Sequence, residues 1–286
     1  MKLFKTSKGI LLQNNMDVYM LHEDWDELIN RKNLFSHLLK KTEKSERIDD
    51  SSFDSLINTE LQAPIGKQEV WAAGVTYLRS RDARMEESKS SGGADFYDKV
   101  YEAERPELFF KALPHRVAAH NGEVYIRNDS TWNVPEPELT LYINSFGEIQ
   151  GYTAGNDMSS RSIEGENPLY LPQAKVYERS AALGPCLFVP QEPISKNTGI
   201  SIIIKRGEKI MFEDSIQLSR MKRSLTELAS FLFRESDFAY GCFLMTGTGM
   251  VPPPEFTLQP GDKIDITIEG IGTLRNKVAI KKQTTA

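Results

Sequence analysis

Two prolines flank a glutamate in the run Val134-Pro-Glu-Pro-Glu-Leu139. Each proline fixes φ and removes a backbone donor, so a strand starting here suits a sheet edge or the mouth of a site rather than a sheet centre. In an extended chain, residues i and i+2 share a face, and Glu136 and Glu138 therefore point together. The strand-like run continues to a turn at Phe146-Gly147, and a second strand returns to Asp157. Convergent carboxylates repel unless a cation sits between them. A hard divalent ion with oxygen ligands is the natural occupant, and Asp157 can supply a third oxygen. An acidic pair on a strand is also a common solvated face. Here the basic residues Arg161 and Lys175 follow in a Gly- and Ser-containing stretch, which favours a site.

The chain has 286 residues, enough for one large domain or a large and a small one. With 26% charged residues and a net charge of −5, it lacks the basic footprint of a nucleic-acid binder. His22, His37, His115 and His120 are scattered, without the i, i+4 spacing of a zinc helix. Cys186 and Cys242 are far apart and outside any CxxC, which reads as buried reduced thiols in a cytoplasmic protein. The opening MKLFKTSKGILL lacks a signal peptide's apolar core and cleavage site. No apolar run approaches membrane-spanning length. The expectation is a soluble, cytoplasmic protein.

Along the chain, residues 1–20 read as short strands, and helical spacing takes over from Glu23 to about Lys41. Lys40–Ser52 reads as an exposed linker, and a Pro/Gly loop near residue 65 divides a small N-terminal α+β domain (1–65) from the main domain (66–286). The run 70–75 is a buried strand. Beyond it, a charged segment carries helical spacing on both sides of a break at Ser90–Gly93, a candidate lid. His120-Asn121-Gly122 before EVYIR signals a hairpin, as does Arg206-Gly207 within 199–213. Ser224 and Glu227 fit a capping box. Ile264, Ile266 and Ile268 share a strand face, and a last strand follows near Lys277–Lys281. Many short strands without a βαβ rhythm predict a β-rich α+β fold with peripheral helices.

The order of several motifs resembles the fumarylacetoacetate hydrolase family: Glu136-Pro137-Glu138-Leu139, the stretch Gly151–Arg161, Lys175 ahead of Leu183-Gly184-Pro185, Thr246-Gly247-Thr248, and Pro260-Gly261-Asp262. Each piece is weak alone, and the combination is specific over roughly 66–286. The resemblance implies a mixed β-sandwich roll that assembles as a homodimer or homotetramer. It implies Mg2+ at the centre (Mn2+ or Ca2+ as substitutes), with Glu136, Glu138 and Asp157 as ligands. It also places Arg161 and Lys175 as substrate-facing cations and Thr248 at a substrate carboxylate. In one respect the chain departs from the family's hydrolases, which carry a water-activating histidine after the first strand. The segment Gly74–Arg84 has none. That segment, with 105–112 and 156–185, resembles the branch that dehydrates 2-keto-3-deoxy sugar acids. The implied reaction turns 2-keto-3-deoxy-D-arabinonate into 2,5-dioxopentanoate.

The residues support such chemistry. A 2-keto acid chelates a divalent ion, which stabilises an enolate and makes the C3 proton removable. Lys175 is either the base or an electrostatic clamp on the substrate carboxylate. Glu107, beside apolar neighbours, is a candidate acid for the leaving C4 hydroxyl, and Glu164 competes with it; either is equally readable as a structural ion pair. At least one of Arg79, Arg81 and Arg84, with Arg79 as the candidate, reaches over the site if the lid closes; otherwise they are surface or interface arginines. Tyr77 is read as substrate-facing or simply packed. The loop at Thr248 offers N–H groups and a hydroxyl to an anion. Two competing readings remain: an acylpyruvate or diketo-acid hydrolase of the same family, and a non-catalytic binding domain stapled by its metal.

Overall fold

The computed structural model describes residues 1–87 and 94–282. The first apolar runs form an antiparallel meander of β1 (Lys2–Thr6), β2 (Gly9–Asn14) and β3 (Asp17–Leu21). The helical stretch expected over 23–41 is split into α1 (Trp25–Ile29) and α2 (Leu34–Thr42). Asn33 interrupts it at φ 52°, a left-handed conformation that Asn tolerates better than most residues. The expected linker holds β4 (Glu46–Ile48) and starts α3 (Asp50–Glu60), whose cap residue Asp49 accepts a hydrogen bond from Ser52 N.

Next come β5 (Glu69–Gly74), α4 (Leu78–Glu87), α5 (Ala94–Glu102) and β6 (Glu107–Ala112), which runs antiparallel to β5. The break expected at Ser90–Gly93 lies outside the described residues. The turn at 120–122 forms, with Asn121 at φ 63°, but it closes no hairpin. Strand β7 (Val117–Ala118) runs parallel to Ala181–Phe188, whereas β8 (Glu123–Ile126) runs parallel to Gly272–Ile280 in a second sheet. Turn chemistry reverses the chain locally. A hairpin also needs two matched flanking runs, and the 3-10 turn at Pro114–Arg116 leaves only two strand residues before this one.

The site-bearing stretch folds as β9 (Asn133–Val134), β10 (Pro137–Ile143), β11 (Ile149–Asp157), β12 (Ser159–Ser160), α6 (Arg161–Glu166), α7 (Leu171–Lys175) and β13 (Ala181–Phe188). The hairpin of β14 (Gly199–Arg206) and β15 (Lys209–Gln217) turns at Gly207, and α8 (Leu225–Leu232) starts with the Ser224/Glu227 capping box. β16 (Cys242–Met245), β17 (Lys263–Ile268) and β18 (Gly272–Ile280) complete the chain.

The large sheet has the order β4-β3-β2-β1-β13-β11-β10-β16-β5-β6, with β7 beside β13. The smaller one runs β15-β14-β17-β18-β8. The proline-led strand β10 is therefore central, contrary to the edge placement expected from its prolines. β11 pairs along its whole length, but β16 pairs only from Thr140 onward, so the proline end protrudes beyond β16 at the mouth of the sheet. Two-residue periodicity sends Leu139, Leu141 and Ile143 to one face, where they meet Ile202, Ile264, Ile266 and Ile268 of the small sheet. Tyr142 faces the other side with Phe243, Leu28 and Leu34. Each fully buried side chain of this size stabilises the sandwich by about 1.5–3 kcal/mol. Residues before 65 contribute to both clusters, and β1 pairs with β13, so they extend the large sheet across the Pro/Gly connection. No helix among the described residues is long and apolar enough to cross a membrane, and Cys186 and Cys242 are buried free thiols.

Candidate active site

The β10–β11 register assembles the acidic group. Pro137 pairs with Asn156 and Glu138 with Gly155, so Glu136 stands opposite Asp157, and their backbones exchange hydrogen bonds of 3.1 and 2.9 Å. Opposed residues and residues two apart share one face of a sheet. All three acids are buried, with carboxylate oxygens within 4.8 Å of one another. Burial, then the charges of Asp157 and Glu136, hold the Glu138 carboxyl well above the usual range, against a 2.6 Å hydrogen bond from Gly247 N–H. Three hard, mutually repelling oxygen donors in one pocket suit a divalent ion such as Mg2+. The donor set fits the group that the sequence implied.

Cations surround the acids. The Lys175 ammonium, at the end of α7, donates to Glu136 Oε2 at 2.6 Å and to Asp157 Oδ2 at 3.0 Å. Lys111, from β6, pairs with Asp157 Oδ1 at 2.6 Å and donates to the carbonyls of Met158 at 2.9 Å and Lys175 at 2.5 Å. Burial alone would raise the Asp157 carboxyl; Lys111 and Lys175 outweigh it and hold the group below its ordinary value. Burial pushes Lys111 down to about 8 despite the pull of Asp157. Arg161, the first residue of α6, donates to Glu136 Oε1 at 2.7 Å; burial, and then Arg84, push it well below its ordinary value.

Glu107 enters from β6 with its carboxyl turned against Gly74, where a side chain would overlap it. Its Oε2 is closed off from water, and burial raises the group against the pull of Arg84 and Lys175. Glu164 is buried but held by two guanidiniums: Arg84 donates to Oε1, and Arg161 Nε lies 3.9 Å from Oε2. Such a carboxyl is anchored as a counter-ion and is poorly placed to donate a proton. Thr248 lines the cleft, on a loop whose Gly247 has φ 93° and lies so close to Thr76 Oγ1 that a Cβ would collide with it. Tyr77 is buried and does not line the cleft. Its hydroxyl has no hydrogen-bond partner among the described residues, and burial, then Glu138, raise its pKa.

Arg79 points elsewhere: it is exposed on the first turn of α4 and donates to Val251 O at 3.1 Å. The guanidinium over the cleft is that of Arg84, 3.9 Å from Glu136 Oε1. Helical geometry explains which arginine of the group overhangs the cleft, since residues 80 and 84 share a face and residue 79 is about 100° away from it. Ser80 lines the cleft with Arg84. Val75 also lines it, at φ 54°, a conformation that β-branched residues rarely adopt and that is found where a site dictates the backbone. Lys111 is a residue that the sequence reading did not single out. Alternation on β6 was the available signal, because Glu107, Phe109 and Lys111 lie two apart and face the same way.

A mixed β-sandwich carrying its acids at the mouth of a central strand, with cations from flanking helices, defines a class of metal-centred enzyme folds. The profile of the fumarylacetoacetate hydrolase C-terminal domain matches residues 70–279, a span holding every residue that lines the cleft, and the chain belongs to that family. It is similar to a probable 2-keto-3-deoxyxylonate dehydratase of Haloferax volcanii, at 47% identity over 226 residues, covering 79% of this chain and 77% of that protein. The 2-dehydro-3-deoxy-D-arabinonate dehydratase of Saccharolobus solfataricus is 35% identical over an alignment spanning 100% of this chain and 98% of its own. A solved structure of 2-keto-3-deoxy-D-arabinonate dehydratase complexed with magnesium and 2,5-dioxopentanoate superposes with a TM-score of 0.83 at 32% identity, covering 99% of this chain and 100% of that one.

Proposed function

We propose that this protein is a Mg2+-dependent dehydratase of a 2-keto-3-deoxy-D-pentonate, releasing water to give 2,5-dioxopentanoate. The names of the two relatives support a single substrate. C2 is a ketone and C3 a methylene, so C4 is the only stereocentre left, and the arabinonate and xylonate names describe one molecule when both are D. The observation that carries the reading is the meeting of Glu136, Glu138 and Asp157 within 4.8 Å, with the Lys175 ammonium 2.6 and 3.0 Å from two of them.

Glu136, Glu138 and Asp157 would hold the ion, which when bound supplies Lewis-acid charge beside the 2-oxo group. Lys175, in its neutral amine form, takes a proton from C3, the position such charge acidifies, and becomes the ammonium. Glu107, whose carboxyl lies behind Gly74 of the cleft wall and whose burial favours its protonated form, donates a proton to the C4 hydroxyl as it leaves as water. The product of that step is a 2-oxo-3-ene with its C5 hydroxyl intact. Loss of a C5 proton and reprotonation at C3 give a C4–C5 enol, and protonation at C4 with loss of the C5 hydroxyl proton completes the aldehyde. Arg84 and Arg161 offer guanidiniums for substrate oxygens, and Phe109 lines the cleft as an apolar wall. None of the four histidines lines the cleft, which disfavours a hydrolytic route needing a histidine base.

Incubation with Mg2+ and 2-keto-3-deoxy-D-arabinonate, followed by NMR, tests the proposal. A five-carbon aldehyde acid is the expected product. Inertness toward this substrate, with pyruvate released from an acylpyruvate instead, would establish the hydrolase. Inertness toward both, with Mg2+ only raising the melting temperature, would establish a metal-stapled binding domain.

A further inference from the structure

Lys111 takes no part in the steps above, yet it carries a charge in a position with no solvent exposure. An ammonium has three donors. Two of them go to Met158 O at 2.9 Å and Lys175 O at 2.5 Å, and Asp157 Oδ1 lies 2.6 Å away as the ion-pair partner. Lys111 does not line the cleft, so its contacts are with the frame of the site rather than with a ligand. That frame joins the end of β11 to the backbone of the residue whose ammonium faces the acids. Helix α7 has only five residues, far fewer than a helix needs to hold itself in place. Its last carbonyl, that of Lys175, is one that a helix C-terminus leaves without an internal partner.

The direction in which the Lys175 side chain leaves α7 therefore depends on what grips this carbonyl. We propose that Lys111 is a positioning residue for proton transfer: by tying the Lys175 backbone to Asp157, it fixes the Lys175 ammonium against the acidic cluster. The proposal rests on Lys175 acting as the base.

Lys111→Met keeps the length of the side chain and removes the charge, and an apolar group of similar size avoids stranding a buried ion. The expected result is a loss of kcat of about 10- to 100-fold with KM changed by less than about threefold, the scale on which groups supporting a metal site act. Amide hydrogen exchange is expected to accelerate at 171–176 before it does so elsewhere. In a Lys175→Ala background, the same change is expected to cost less than about threefold more, because residues acting as a unit are not additive. Lys111→Gln, which retains two donors, is assayed alongside and is expected to lose less; it carries the same test if the Met variant does not fold. Wild-type kcat in a folded Lys111 variant would overturn the proposal, and so would losses that multiply in the double variant. An unimpaired Lys175→Ala would instead strike down the base assignment itself, so the two failures are distinguishable.

Discussion

Glu136 and Glu138 sit two residues apart in opposite electrostatic settings, so the same substitution is expected to have opposite effects on stability. Glu136 accepts hydrogen bonds from Lys175 at 2.6 Å and Arg161 at 2.7 Å, and Arg84 lies 3.9 Å away. Glu136→Gln removes the carboxylate that these buried cations share and leaves Asp157 beside Lys175 and Glu164 beside the two arginines, a change on the scale of a broken buried ion pair, about 3–5 kcal/mol. An unfolding entropy of about 2.1 cal/mol/K per residue amounts to about 0.6 kcal/mol/K for 286 residues, so the melting temperature falls by about 5–8 °C. Glu138 has one hydrogen bond among the described residues, from Gly247 N–H, and its charged form is disfavoured by burial and by Asp157 and Glu136. Glu138→Gln removes a charge that the fold resists, so the melting temperature in a chelator is expected to hold or rise.

The pH dependence provides a second signature for the same pair. The folded-state pKa of Glu138 lies above its unfolded value of 4.5, so the stability this group contributes is fully present below 4.5 and is lost as pH rises through the folded value. Glu138→Gln is expected to remove that slope. Calorimetry in EDTA across pH 4–8 measures both effects; repeating it with Mg2+ should show that neither variant gains the metal-dependent stabilisation, about 2.7 kcal/mol at a hundredfold excess over Kd, expected of the wild type. The reasoning is refuted if Glu138→Gln destabilises the chelated protein as much as Glu136→Gln does.

Other substitutions separate the remaining roles. Glu107→Gln should lower kcat by about 10²–10⁴-fold, the usual worth of a positioned acid, while NMR still detects C3 proton exchange of the substrate in D2O; loss of exchange would assign Glu107 to the earlier step. Arg84→Ala should reduce kcat/KM by about 10- to 150-fold, as for a lost charged hydrogen bond of about 1.5–3 kcal/mol, and Arg79→Ala should leave steady-state kinetics near wild type. Lys111, pushed down to about 8 from 10.5, sheds its proton in the folded state before the unfolded chain does, so its contribution to stability rises from pH 8 to 10.5. The difference between wild-type and Lys111→Met melting curves in a chelator should show that rise, and a flat difference would contradict it.

What could be read from the sequence followed the range of the signals. Period-two spacing and turn residues are local, so the β10–β11 and β14–β15 hairpins, the Ser224 capping box and the isoleucine face of β17 were all legible. The i, i+2 rule and the β10–β11 hairpin together brought the three acids to one place. Partners chosen across long stretches of chain were not legible. Asn121-Gly122 marks a real turn, but nothing local says that β8 leaves for the other sheet. The prolines of 135–137 suggested an edge because they remove donors, while the later arrival of β16, paired only from Thr140, makes β10 central. Arg79 and Arg84 look alike in a charged run, and only the helical phase set by Ser80 decides which one overhangs the cleft. Lys111 was hidden because a lysine at the end of an apolar strand reads as its solvent-facing terminus, and its two carbonyl acceptors and its ion-pair partner Asp157 lie far along the chain.

The parallel pairing of β8 with β18 also bears on how the protein is made. Lys277 to Ile280 align with Glu123 to Ile126, so a strand from the middle of the chain has no neighbour in its own sheet until the last strand emerges. Such long-range closure is slow compared with hairpin formation. During synthesis, the acid-bearing hairpin can form while β8 still presents an open edge, a surface prone to pairing with a foreign strand. Assembly of the small sheet is thus a late event, and shortening the chain within β18 would leave a preformed acidic centre beside an unsealed sheet.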